Sequence, residues 1–198
     1  NWRLWLVFGV AIVAYYVVQA VLNAVTGLGG STLTPLPATP GVEIDPNVML
    51  IIVGVQAVLL GPFLGLVITF GEEYGWRGYL HNELTKLGRV RGTLLLGVIW
   101  GVWHWPVILM GHNYPGYPLP GVLLMTLYTT GLAVVLGYVV LRSGSVLLAS
   151  FLHALNNQIA GLLVTLGFAP FSPVFSFLLG VFGIASLAVV SLLILRDP

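Results

Sequence analysis

Long apolar runs recur from one end of the chain to the other, and each is about as long as a helix that crosses a bilayer. Such a helix needs about 20 mainly apolar residues, because each adds about 1.5 Å of rise against a hydrocarbon core about 30 Å thick. Stretches 4–25, 48–70, 93–110, 121–141, 146–166 and 174–195 meet this requirement. The expected fold is therefore all-α, a polytopic transmembrane helix bundle of about six spans. Composition agrees: 7% of residues are charged and 58% hydrophobic, where soluble domains carry about 25% charge. Segment 26–47, with Pro35, Pro37, Pro40 and Pro46, reads as an irregular loop, and so does the Gly/Pro/Tyr-rich segment 111–120. With no clear internal repeat, residues 1–198 read as a single domain.

The charges orient the spans. All seven Lys and Arg (Arg3, Arg77, Lys86, Arg89, Arg91, Arg142 and Arg196) fall on one side of the alternating loops. Basic loops stay cytoplasmic, so both ends are expected to be cytosolic, in an integral protein of the plasma (cell) membrane. Because the first residue is Asn1, the sequence is read as a trimmed piece of a longer chain. A net charge of +1 argues against a nucleic-acid partner, and zero cysteines exclude thiol catalysis and a disulfide scaffold. The partners expected are membrane lipid and a membrane-bound or lipidated peptide.

Ionisable side chains in hydrocarbon are costly and need a reason to be there. Three clusters stand out: Glu72-Glu73-Tyr74-Gly75-Trp76-Arg77, Trp100-Gly-Val-Trp-His104, and His153-Ala-Leu-Asn156-Asn157. If the second span continues as a helix toward residue 84, Glu73 and Arg77 form an i,i+4 pair with the acid on the N-terminal side, the favourable order. Glu72 then points about 100° away and stays free. His104 shares a face with Gly97 and Gly101, and His153 one with Asn157 among small residues, so both faces should turn into the bundle. Measured from the cytosolic helix ends, Glu72 lies about 18 Å deep, His104 and Asn157 about 16 Å, and His153 about 10 Å. The three clusters converge on nearly one level.

The ordered set Glu72-Glu73-xxx-Arg77, Trp100-xxx-His104 and His153-xxx-Asn157, within a motif core of about residues 60–165, resembles the CAAX type II prenyl protease and bacteriocin-processing (Abi, or CPBP) family. The family's second motif usually opens with Phe, where this chain has Trp100. Members often have eight spans. The resemblance implies an intramembrane endopeptidase acting on a membrane-associated or prenylated substrate. It implies that Glu72 and His104 hold and deprotonate a water, that His153 and Asn157 stabilise the oxyanion, and that Glu73 and Arg77 support them. Whether a metal takes part stays open at this point: Glu72, His104 and His153 suit a divalent ion such as zinc, and a glutamate-activated water explains the same residues.

Other readings stand beside this one. The HExxH, GxSG and GxGD signatures of other intramembrane proteases are absent. A small transporter would use midplane polar residues to bind its cargo, but no pair of repeated broken helices is evident. A non-catalytic immunity or scaffold protein of the same family would retain the motifs without needing them. Asn156 reads as interhelical glue. His81, near the cytosolic interface, and His112, in the outer loop, are expected to be solvated.

Overall fold

The computed structural model describes residues 2–28, 32–33, 44–165, 168–169, 172–175 and 180–196. Helix α1 covers Trp2–Thr26. A continuous helical rod of 40 residues, α2, runs over Val48–Leu87. Then come α3 (Arg89–Leu109), α4 (Pro118–Ser143), α5 (Val146–Thr165) and α6 (Val181–Arg196). Outside the helices, Thr32–Leu33 (β1) pairs antiparallel with Phe168–Ala169 (β2). Residues 29–31 and 34–43, most of the segment expected to be an irregular loop, lie outside the described residues.

Among the described residues, four helices, α1 to α4, are long and apolar enough to cross a membrane, and the apolar stretches Val146–Leu162 and Val181–Arg196 are shorter. The exposed surface carries the apolar residues: Leu64, Val67 and Ile68 are each at least 74% exposed. Glu73, Arg77 and His153 are buried instead. That inversion of the soluble pattern marks an integral membrane protein, whose apolar surface meets lipid. The sixth helix departs from expectation, starting at Val181 rather than at 174. Residues 173–175 form a turn in which Val174 O accepts the N–H of Val181, and Gly180 precedes the first helical turn. An apolar run alone does not reveal that break.

The second span does continue past its apolar stretch. It carries two π-helical turns, Gln56–Leu60 and Tyr74–Leu80, and in the latter the His81 N–H reaches back to Trp76 O, a five-residue step. Such wide turns occur mostly as single insertions and often at functional sites. Here the wide turn follows Glu73 directly, and Glu73, Arg77 and His81 all face the interior. His81 is thus buried, contrary to the solvated role expected for it. Its Nε2 lies 3.0 Å from Thr93 Oγ1 on α3. Thr93 gives its own proton to Arg89 O, so the imidazole is the donor. Gly88, at φ 107°, turns the chain from α2 into α3.

Helix α4 is central and the most buried of the four long helices. The core runs along it through Met125, Tyr128, Leu132, Leu136 and Val139 to Leu148, Leu152 and Leu155 of α5. Helix α3 approaches α4 at two glycines. A Cβ on Gly97 would strike Thr130 Cα, and one on Gly101 would lie 2.6 Å from Thr126 Cα. Thr129 Oγ1 donates to Gly97 O at 2.9 Å across the same contact. Small residues permit such close approach in membranes. Gly101→Ala must therefore move backbone, and a loss of about 1–3 kcal/mol is expected in thermal unfolding in detergent. Gly9→Ala, where no atom lies within 4 Å, serves as the neutral comparison. Equal stability of the two variants would contradict this packing.

Candidate active site

Glu72 of α2, the Trp100–Val107 stretch of α3 and the inner faces of α4 and α5 line a cavity of about 680 Å³. That is room for a peptide segment. Of the residues singled out by motif, Glu72, His104, His153 and Asn157 line it, together with Trp100 and Trp103. Glu73 and Arg77 stand behind the wall, with side chains fully buried and Arg77 Nη1 2.8 Å from Glu73 Oε1. The i,i+4 ion pair expected from spacing is present. Its carboxylate has a second partner that spacing did not reveal, because His153 Nδ1 lies 2.9 Å from the same Oε1.

Trp100 joins the two layers. It is 2% exposed, and its indole face receives the Arg77 guanidinium at 4.3 Å from Cζ to the ring centroid. The geometry suits a cation–π contact, which is strongest where water is excluded. The His153 ring meets Trp100 edge-on at 5.3 Å. His104 lies between Trp100 and Trp103, at 5.9 and 4.9 Å. An aromatic residue at position 100 thus packs simultaneously on a cation and two imidazoles.

Hydrogen bonding assigns the tautomers of both cavity histidines. His104 Nδ1 lies 2.8 Å from Trp100 O, which has no proton to give, so Nδ1 donates. Glu73 Oε1 already accepts from Arg77 Nη1, so His153 Nδ1 at the same oxygen donates as well. In each neutral imidazole the Nε2 then carries a lone pair. This is how proteins orient an imidazole for use as a base or a ligand. Together with the Glu72 carboxylate these are the groups with the chemistry to hold a divalent ion. Among the described residues, however, no three His, Cys, Asp or Glu side chains are grouped so as to hold a metal.

A second network lies deeper along α5. Tyr16 of α1 donates to Asn156 O at 2.8 Å and to Asn156 Oδ1 at 3.2 Å. Asn156 Nδ2 donates to Tyr128 Oη at 2.8 Å and to Asn157 Oδ1 at 3.3 Å. Asn156 does bridge helices, as glue would, but it does so between two residues that line the cavity. Tyr128 is not legible in the motifs. The available signal is a phenol on the stripe Met125, Tyr128, Thr129 and Leu132, since a hydroxyl on the buried face of a membrane helix needs partners. Asn113 and His112 also line the cavity, and His112 is exposed, in keeping with the solvated role expected from its place in the loop. Asn113 takes a left-handed conformation at φ 61°, and the connection it shapes lies against the cavity.

Comparison with known proteins identifies the family. The family model described as type II CAAX prenyl endopeptidase, Rce1-like, matches residues 54–159. Over 53 residues the chain is 36% identical to CAAX prenyl protease 2 of Methanococcus maripaludis. That stretch is 26% of this chain and 20% of the relative, so the match spans about a fifth of the relative's length. No solved structure matches.

Proposed function

The chain belongs to the Rce1-like family of type II CAAX prenyl endopeptidases, and from that premise we propose that it is an intramembrane endopeptidase hydrolysing a peptide bond in a membrane-held, CAAX-type lipidated substrate. The observation that carries the reading is the two-layer site. Glu72, His104, His153 and Asn157 face one cavity, while the Glu73–Arg77 pair fixes His153 from behind. A passive scaffold has no need of two imidazoles held in defined tautomers.

In the proposed reaction a water bridges the Glu72 carboxylate and the His104 Nε2 lone pair, both acceptors. Glu72 takes one proton as the water oxygen attacks the scissile carbonyl carbon. The C=O electron pair moves to oxygen, and the oxyanion is met by the Asn157 amide and by His153. His153 donates there only while its Nε2 is protonated, whereas the Asn157 amide donates in either case. Collapse of the tetrahedral species breaks the C–N bond, and the proton held by Glu72 goes to the leaving amine. Each part is a standard contribution: general-base catalysis of about 10²–10⁴-fold, and oxyanion donors worth about 10²–10³-fold apiece. The steps above use only the chain's own groups.

The one-sided Lys/Arg distribution supports a placement with both described ends at the cytosolic face of the plasma membrane. The test is cleavage of a fluorescent prenylated CAAX peptide by the purified protein, with and without a strong chelator. Cleavage that survives the chelator and is lost in His104→Ala is the expected result. Activity abolished by chelation and restored by zinc would replace the glutamate-activated water with a metal-bound one. Full activity in His104→Ala would overturn the site.

A further inference from the structure

We propose that Tyr128 is a catalytic residue of this site, donating its phenolic O–H to the substrate carbonyl oxygen as that oxygen becomes an oxyanion, with Asn156 as the positioning residue that aims it. The inference rests on the endopeptidase reading above and adds a group that the motifs do not contain.

An oxyanion needs hydrogen-bond donors already in place. His153 spends its Nδ1–H on Glu73, so as a neutral ring it turns a lone pair to the cavity and repels an oxyanion. Of Glu72, His104, His153 and Asn157, the last is then the one with a permanent donor left for the cavity. Tyr128 lines the same cavity from α4, and the bonds around it decide where its proton goes. Its oxygen accepts from Asn156 Nδ2 at 2.8 Å. Among the described residues nothing accepts the hydroxyl proton in return, and the phenol is 5% exposed. A buried hydroxyl whose acceptor side is occupied keeps its donor for whatever enters the cavity.

Asn156 orients both donors by the same means. Its two amide hydrogens go to Tyr128 Oη and to Asn157 Oδ1. The second contact occupies the Asn157 carbonyl oxygen and leaves the Asn157 Nδ2 hydrogens for the cavity. Tyr16, donating to Asn156 O and Oδ1, holds Asn156 in the flip that makes this possible. Tyr16, Asn156, Tyr128 and Asn157 therefore make a relay from α1 through α5 to α4. It ends in two donors, an O–H and an N–H, at a cavity also lined by the acceptors Glu72 and His104. That division of polarity is what water attack on a carbonyl requires.

Tyr128→Phe in the full chain tests the assignment, measured with the cleavable lipidated peptide and with a peptidyl trifluoromethyl ketone, whose hydrate mimics the tetrahedral species. The substitution keeps the ring packing, and Asn156 Nδ2 keeps Asn157 Oδ1 as an acceptor. Expected is a kcat lower by about 10²-fold with KM within about 2-fold, and ketone affinity lower in parallel with kcat. Unchanged kcat, or a fall in kcat with ketone affinity intact, overturns the proposal, because a packing role would not weaken the mimic selectively. If the variant does not fold, 3-fluorotyrosine at position 128 replaces it as a near-isosteric, stronger donor. It should then tighten ketone binding at constant KM, and no change would equally overturn the role. Glu72→Gln is assayed alongside. Full activity there removes the endopeptidase site itself, whereas an inactive Glu72→Gln beside a fully active Tyr128→Phe removes only the tyrosine.

Discussion

Arg77→Ala should leave a protein that loses its fold on extraction into detergent, with stability reduced by about 3–5 kcal/mol. The size follows from what the substitution strands. Glu73 is completely buried, and Arg77 is its ion partner at 2.8 Å. Taking the guanidinium away leaves an uncompensated carboxylate inside a membrane protein and strips the face of Trp100 of its cation at 4.3 Å. Arg77→Lys should be intermediate, since an ammonium keeps the charge but not the planar group that stacks on an indole. The informative variant is the double substitution Glu73→Gln with Arg77→Met, which removes both charges and keeps volume. It should recover most of the stability lost in Arg77→Ala, because the penalty is the unpaired charge rather than the absence of the pair. It should also retain part of the activity, as the amide oxygen introduced at position 73 can still accept from His153 Nδ1. Thermal unfolding monitored by size-exclusion chromatography reads all three. A stable Arg77→Ala protein would mean that Glu73 is not held as an anion, and the tautomer assigned to His153 would fall with it.

Much of this architecture is legible from residue order alone, for physical reasons that differ by feature. Helices in lipid satisfy their backbone locally, so apolar length is enough to place α1, α3, α4 and α5 to within a few residues, and the start though not the end of α2. The Glu73–Arg77 pair is equally local, an i,i+4 contact within one helix. Trp100 and His104 share a helix face in the same way, and the His104 Nδ1 bond to Trp100 O is likewise an i,i+4 contact. The features that are not legible depend on pairing between helices. A solvated His81 is expected because it follows charged, interfacial-looking sequence, yet the hairpin at Gly88 folds α3 back so that Thr93 meets it. A Cβ on Gly137 of α4 would lie only 3.1 Å from the His81 ring, so α4 closes over that imidazole. The bond from His153 to Glu73 spans 80 residues, and that from Asn156 to Tyr128 spans 28. Motif spacing within one helix carries no information about either. The wide turn at Tyr74–Leu80 is hidden as well, since a π-helical insertion has no compositional signature comparable to Pro or Gly.

Glu72→Gln should reduce kcat by about 10³-fold or more while leaving the fold and KM close to those of the parent protein. The reason lies in the contrast between two adjacent acids. Glu73 is enclosed, ion-paired and hydrogen-bonded, whereas Glu72 lines the cavity and, among the described residues, has no hydrogen-bond partner. Glutamine matches glutamate in size, so packing is preserved, and the change falls on one property, the ability to accept a proton from water. A neutral amide can still hold the water but cannot take its proton. The loss should therefore appear in kcat with little change in substrate binding, the signature of an interaction made only in the transition state. Glu73→Gln makes the comparison sharp. It too neutralises a carboxylate, but one that orients His153 and pairs with Arg77, so its effect should appear first as lost stability from the stranded guanidinium. Equal kinetic losses at constant stability in both variants would mean that the two acids share the proton. A Glu72→Gln protein with full activity would remove Glu72 as the base, and with it the endopeptidase site drawn around it. The direction of each result follows from which carboxylate faces the cavity and which one holds the histidine in place.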